Sequence, residues 1–333
     1  RIQLAEDLQF SRLVYGLWRL ADDSNTSLRH VEAKINAALD QGITTFDQAD
    51  IYGGYTAEGV MGAALKQNPA LRQRMEIVTK CDIVIDAGRH SGTRVKHYDT
   101  TEKHIQESVN ASLSEMGIAH IARLLIHRPD PMMDHHETGA ALDGLVDSGK
   151  VRAVGASNFR PWDWNLLQSA MRHLLVTNQI ELSLKTIAPF TNGDLAFHQQ
   201  HDHVVMAWSP LGGGDLMTTA GELGSRLDSI AVRYGADRAA VATAGVKASD
   251  DEVTALELRG SHSGVPPLKT PRLTLAAHCS TPPALAALIA LASMLHPLHP
   301  CPRRRRRWAT RSVRRRRPRH AASSAARSSA PSR

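Results

Sequence analysis

The sequence predicts an α/β protein built as a (β/α)8 barrel of the TIM type, and three observations carry that prediction. Short apolar segments alternate with amphipathic helical stretches seven times, which implies a parallel sheet with right-handed crossovers. An open dinucleotide-binding sheet shares that alternation, but it should show a G-x-G-x-x-G turn after its first strand. "GLWRLADD" contains none. Polar residues stand instead at the C-terminal ends of several strands, where a barrel gathers its functional groups.

In chain order the strands read as "RLVYGLW" (12–18), "ITTFD" (43–47), "EIVTK" (76–80), "ARLLIH" (122–127), "VRAVGAS" (151–157), "VTNQIE" (176–181) and "HVVMAWS" (203–209). Between them lie "SLRHVEAKINAALDQG" (27–42), "EKHIQESVNASLSEMG" (102–117) and "HETGAALDGLVDSGK" (136–150), each with the spacing of an amphipathic helix. Ser27 is placed to cap the first of these, and glycines close two of them. An eighth strand and helix are not recognisable after "RAAVATAG" (238–245), so the eighth βα unit reads as missing or replaced. Residues 1–245 are thus expected to form the barrel, and 246–333 a low-complexity, disordered tail. From Leu258 to the end there are 76 residues without one acid, rich in Pro, Ala, Ser and Arg. The best strand-like run in that segment is "LTL" (273–275), and 284–295 reads as a short helix.

The net charge of +7 is unevenly distributed. Residues 303–333 hold 13 of the 40 Lys and Arg and no acid, while 1–302 carry 27 basic and 33 acidic side chains. A nucleic-acid reading would have to rest on the tail, where aromatic interleaving is limited to Trp308, so nucleic acid is not expected as a partner. Three widely separated cysteines, Cys81, Cys279 and Cys301, suggest neither a disulfide framework nor a metal cluster. With no apolar leader in "RIQLAEDLQF" and no stretch long enough to span a bilayer, the expectation is a cytoplasmic protein without a membrane partner.

Asp47, Lys80 and His127 each terminate a strand, and Tyr52 follows Asp47 on a loop containing Gly53 and Gly54. Side chains alternate along a strand, so Asp47 shares a face with Thr45, and Lys80 with Val78. Phe46 and Ile77 then face the helix layer. Each polar residue has an ordinary structural explanation by itself, but together they form a coherent proton-donating site. A phenol near pKa 10 needs a neighbouring cation to lower it, which Lys80 could supply while Asp47 holds that cation in place. His127 could hydrogen-bond and orient a substrate carbonyl, leaving only a hydride source to be found.

These segments resemble the aldo-keto reductases, in the bacterial-type oxidoreductase branch of that superfamily, over about residues 1–245. The family's D-x-A-x-x-Y-G signature stands as "DQADIYGG", with "VTK" and "LLIHRPD" in the expected order after it. The resemblance implies a catalytic tetrad of Asp47, Tyr52, Lys80 and His127. It also implies NADPH as cofactor, no metal, and reduction of a small aldehyde or ketone to an alcohol. Ser157 and Asn158 of "GASNF" and Gln179 of "TNQIE" would hold the nicotinamide carboxamide. Trp208 of "AWSPLGGG" would stack on the ring, and Ser209, Leu211 and Gly212 would line the pyrophosphate. The family's 2′-phosphate-binding cluster is not recognisable here. The alternative reading is therefore a catalytically impaired or non-catalytic cofactor-binding barrel with a basic, polyanion-binding tail. Loops such as 86–100 are expected to select the substrate, and their sequence carries no decisive code for its identity.

Overall fold

The computed structural model describes residues 1–5, 7–245 and 273–278. An antiparallel hairpin, β1 (Ile2–Ala5) and β2 (Leu8–Phe10), precedes the barrel and has no counterpart in the strands read from the sequence. The barrel begins with β3 (Leu13–Gly16), β4 (Thr45–Asp47) and β5 (Glu76–Cys81). A second hairpin, β6 (Ile83–Val84) and β7 (His97–Tyr98), projects after β5. The barrel continues through β8 (Arg123–Ile126), β9 (Val154–Ser157), β10 (Leu175–Glu181), β11 (Val204–Trp208) and β12 (Leu273–His278). The eight barrel strands are parallel, lie in chain order, and close on themselves.

The eighth unit, read from the sequence as missing or replaced after residue 245, has its strand slot filled. β12, which contains "LTL", pairs with β11 from Val205↔Leu273 to Trp208↔Ala276, and with β3 from Leu275↔Leu13 to His278↔Gly16. The eighth strand is thus replaced by an atypical segment, and no open edge remains at β3 or β11. Propensity concealed it: Ala276, Ala277 and His278 are weak strand formers, but a slot between two unpaired edges offers every backbone group a partner. Residues 246–272 and 279–333, which include the apolar run 284–295 and the arginine clusters, lie outside the described residues.

Helices cover the outside of the barrel, and their ends follow local chemistry. Thr101 caps helix Glu102–Met116 by accepting from the His104 N–H, and Gly117 ends it at φ 64°. Asp134 accepts from the His136 and Glu137 N–H groups at the start of helix His135–Asp147. Ser27 occupies the cap position of helix Leu28–Asp40 without a side-chain bond. The main core lies between strands and helices, where Phe46 and Ile77 pack with Val31, Ile35, Met61 and Leu65. Inside the barrel, Val78 and Leu125 pack against Leu8 and Phe10, so the first hairpin plugs the end opposite Asp47 and Lys80. The alternation read from the sequence is the one observed.

Candidate active site

β4 delivers Asp47 and β5 delivers Lys80 to the same point at the C-terminal mouth, both 1% exposed. Lys80 Nζ lies 2.9 and 2.8 Å from the two Asp47 carboxylate oxygens, 2.8 Å from the Gln48 carbonyl and 3.0 Å from the Tyr52 hydroxyl. An ammonium can be buried only when so surrounded by acceptors. Gln179, at the mouth end of β10, donates from Nε2 to Asp47 Oδ1 at 3.1 Å. The glycines after Tyr52 are required by backbone geometry: Gly53 and Gly54 have φ of 59° and 62°, and they turn the chain immediately after the tyrosine. His127 follows β8, and its ring meets Tyr52 edge-on with centroids 6.0 Å apart.

The electrostatics refine the expected role of Lys80. Burial raises the Tyr52 phenol above its ordinary value; Lys80 is the strongest opposing influence, and Asp47 pushes the value up again. The expectation that Lys80 leaves the phenol below pKa 10 is therefore corrected, because burial outweighs the cation and Asp47 adds to burial. Burial alone would lower the Lys80 ammonium, but Asp47 and Tyr52 outweigh burial and hold it protonated, above the usual lysine value. Burial, reinforced by Lys80, Arg128 and Lys96, drives His127 well below the ordinary histidine value, so its imidazole is neutral. His127 Nδ1 is buried without a hydrogen-bond partner.

Tyr52, His127, Ser157, Asn158, Gln179, Trp208 and Ser209 all line one cavity of about 530 Å³, with Asp47 and Lys80 beneath it. Trp18, Ile85, Lys96 and Arg128 complete its outer wall. Trp208 Nε1 donates to Asn158 Oδ1 at 3.0 Å, and Asn158 Nδ2 donates to Ser157 Oγ at 2.9 Å and to the His127 carbonyl at 3.2 Å. Asn158 and Ser209 both hold left-handed φ angles, 61° and 55°, unusual for residues other than glycine. Leu211 and Gly212 are not on the cavity wall; the Leu211 side chain packs in a satellite core with Leu216 and Leu227. Sequence reasoning paired Gln179 with a ligand amide and missed its bond to Asp47. Such a bond across the barrel, 132 residues apart in sequence, leaves no local trace.

The site fits a nicotinamide cofactor. Half-buried Trp208 offers a flat ring to the cavity beside the Ser157, Asn158 and Gln179 polar groups, and His127 Nδ1 is an orphaned polar atom in the wall. Next to Ser209, a Cβ built on Gly213 or Gly214 would meet nothing within 4 Å, which leaves an open backbone shelf.

Residues 12–249 match the model of the aldo/keto reductase family. The chain is 61% identical over 245 residues to 6-dehydroglucose reductase of Agrobacterium fabrum, covering 73% of this chain and 82% of that protein. It is 48% identical over 218 residues to the uncharacterized oxidoreductase YcsN of Bacillus subtilis, covering 66% of this chain and 72% of that protein. The fold is similar to the crystal structure of an aldo/keto reductase from Klebsiella pneumoniae in complex with NADP and acetate. That match has a TM-score of 0.63 and 21% identity, and covers 85% of this chain and 86% of that one. With a family match across most of its length and the barrel-mouth geometry above, the chain belongs to the aldo/keto reductase family of oxidoreductases.

Proposed function

We propose that this protein uses NADPH to reduce a sugar-type aldehyde to the alcohol, with Tyr52 as proton donor. The reading rests on one observation above all: the Tyr52 hydroxyl stands 3.0 Å from the buried Lys80 amine at the wall of a cavity that His127 also lines. NADPH, held at this mouth, would supply the hydride that the carbonyl carbon receives. Tyr52 gives its proton to the carbonyl oxygen, and Lys80 stabilises the phenolate this leaves, a charge that exists only as the reaction proceeds. Asp47 and the Gln48 carbonyl hold Lys80 on that spot, and Gln179 fixes the carboxylate in turn. His127, neutral, is able to offer an N–H to the carbonyl oxygen and orient it. Trp208, Ser157 and Asn158 are the residues suited to hold the nicotinamide end, and Ser209 with the adjacent glycine shelf the phosphates.

The likeness to 6-dehydroglucose reductase supports a polyol aldehyde as substrate class. The wall agrees, since Trp18 offers an aromatic face while Asp22, Lys96 and Arg128 offer hydrogen bonds. The test is NADPH oxidation by the purified chain with aldose-derived aldehydes beside simple aliphatic and aromatic aldehydes. Higher kcat/KM for the polyol aldehydes is expected. Equal or better turnover of the simple aldehydes would contradict the substrate class.

A further inference from the structure

The loop that presents Tyr52 is tied to a second loop by a buried ion pair that the proton-transfer scheme does not use. Asp50 stands two residues before Tyr52, and its side chain is fully buried. Its Oδ2 accepts from Arg89 Nη2 at 3.1 Å, while its Oδ1 is buried with no partner. Arg89 is 25% exposed, makes a second contact with Glu115 at 3.3 Å, and lies 4.7 Å over the Tyr55 ring. Tyr55 in turn donates its hydroxyl to the Ile83 carbonyl at 3.0 Å and accepts from the Ile85 N–H at 3.2 Å, from a left-handed backbone at φ 69°. The two loops touch so closely that a Cβ on Gly88 would stand 2.8 Å from the Gly54 carbonyl oxygen. The partner loop is the one between β5 and β7 that contributes Ile85 and Lys96 to the cavity wall.

The Ser108 hydroxyl and the Ile51 N–H also favour the Asp50 carboxylate, but burial outweighs them and Arg89 together, so the charge is costly and a neutral residue in its place would be cheaper for folding. Burial raises Asp50 to about 6, with Arg89 the main opposing influence. Being raised above its ordinary value, Asp50 costs stability once pH exceeds that ordinary range, and the cost grows until pH passes about 6. A buried charge that costs stability stands two residues from Tyr52, on the same turn. We propose that Asp50, clamped by Arg89, is a positioning residue that fixes the Tyr52 loop in register with Lys80 and couples it to the substrate-facing 85–99 segment. This rests on the reading of Tyr52 as proton donor.

The test compares Asp50→Asn, Arg89→Gln and the double variant, assayed with NADPH and the best aldehyde found above, beside Tyr52→Phe. Each single variant should lose about 10-fold in kcat, the scale of a slightly displaced reacting group, with NADPH Kd unchanged. The double variant should be no slower than the worse single. Asp50→Asn should melt at or above the wild-type temperature at pH 8, which a merely structural ion pair would not allow. Should Asp50→Asn fail to fold, Arg89→Gln at the part-exposed end carries the test, with Arg89→Lys expected to recover part of kcat. Asp50 is faced by Arg89, Tyr55, Glu58, Cys81 and Asp82. An acid limb in kcat near pH 6 should therefore vanish in Asp50→Asn. Wild-type kcat in both singles, or additive losses, overturns the clamp while an inactive Tyr52→Phe leaves the proton-donor reading intact. An active Tyr52→Phe overturns both.

Discussion

At the residue scale, the site is an arrangement of charges in which Lys80 does the most. Its ammonium has Asp47, Gln48 and Tyr52 as acceptors, and its lowering of the Tyr52 phenol is outweighed by burial, with Asp47 acting in the same direction as burial. Lys80→Met should therefore abolish turnover across the accessible pH range by removing the stabilisation of the departing phenolate. It should also leave Asp47 buried without its cation, so a lower melting temperature is expected, by the equivalent of about 3–5 kcal/mol. A pH–rate profile and a thermal melt check both. Near-wild-type turnover at neutral pH, where the phenol is protonated, would reassign Lys80 to a purely structural part. The convergence of Asp47, Lys80 and His127 on one mouth was legible in the sequence because each ends a strand or follows one directly. The bonds of Gln179 to Asp47 and of Asp50 to Arg89 were not, since both join segments that meet only in the closed barrel.

At the element scale, the packing of helix Ala57–Gln67 on helix Glu102–Met116 carries the segment that follows Tyr52. Gly62 sits at the crossing, where an added Cβ would stand 2.0 Å from the Glu115 carbonyl oxygen and 2.7 Å from Met116 Cα. Backbone, not a flexible side chain, is in the way. Gly62→Ala should destabilise the protein by ~1–3 kcal/mol, the usual cost of overpacking, read as a lower urea midpoint with an unchanged slope. An unchanged midpoint would mean that the helices separate at no cost. Strand order and helix faces were readable from period and alternation. β12 was not, because its pairing comes from the two edges it fills and not from strand propensity. The β1–β2 hairpin was equally hidden: Leu8 and Phe10 are buried by the barrel floor, which no local pattern announces.

At the scale of the whole molecule, closure of the barrel bears on the two readings the sequence left open. A barrel with β12 in the eighth slot has no unpaired edge at β3 or β11, and the tetrad is assembled, so the observations favour a working reductase over an impaired one. The floor carries one electrostatic liability. Arg123 is 1% exposed, stacked 4.1 Å over the Phe10 ring, with Nε and Nη2 unpartnered. Burial pulls its guanidinium down to about 9, opposed only by Asp47. A base lowered in this way costs stability at every pH below about 9, and the cost fades as pH rises from there toward its ordinary value. Arg123→Met should thus raise the melting temperature at pH 7, by the equivalent of about 1–4 kcal/mol, with a smaller gain at pH 10. A fall in melting temperature at both would show the guanidinium to be compensated. The central claim is that proton donation by Tyr52 from this mouth drives carbonyl reduction. Its most direct test is single-turnover reduction by Tyr52→Phe with NADPH prebound, which keeps the ring and removes only the proton. The rate should fall at least ~10²-fold with NADPH Kd within twofold of wild type, and a rate near wild type would contradict the account.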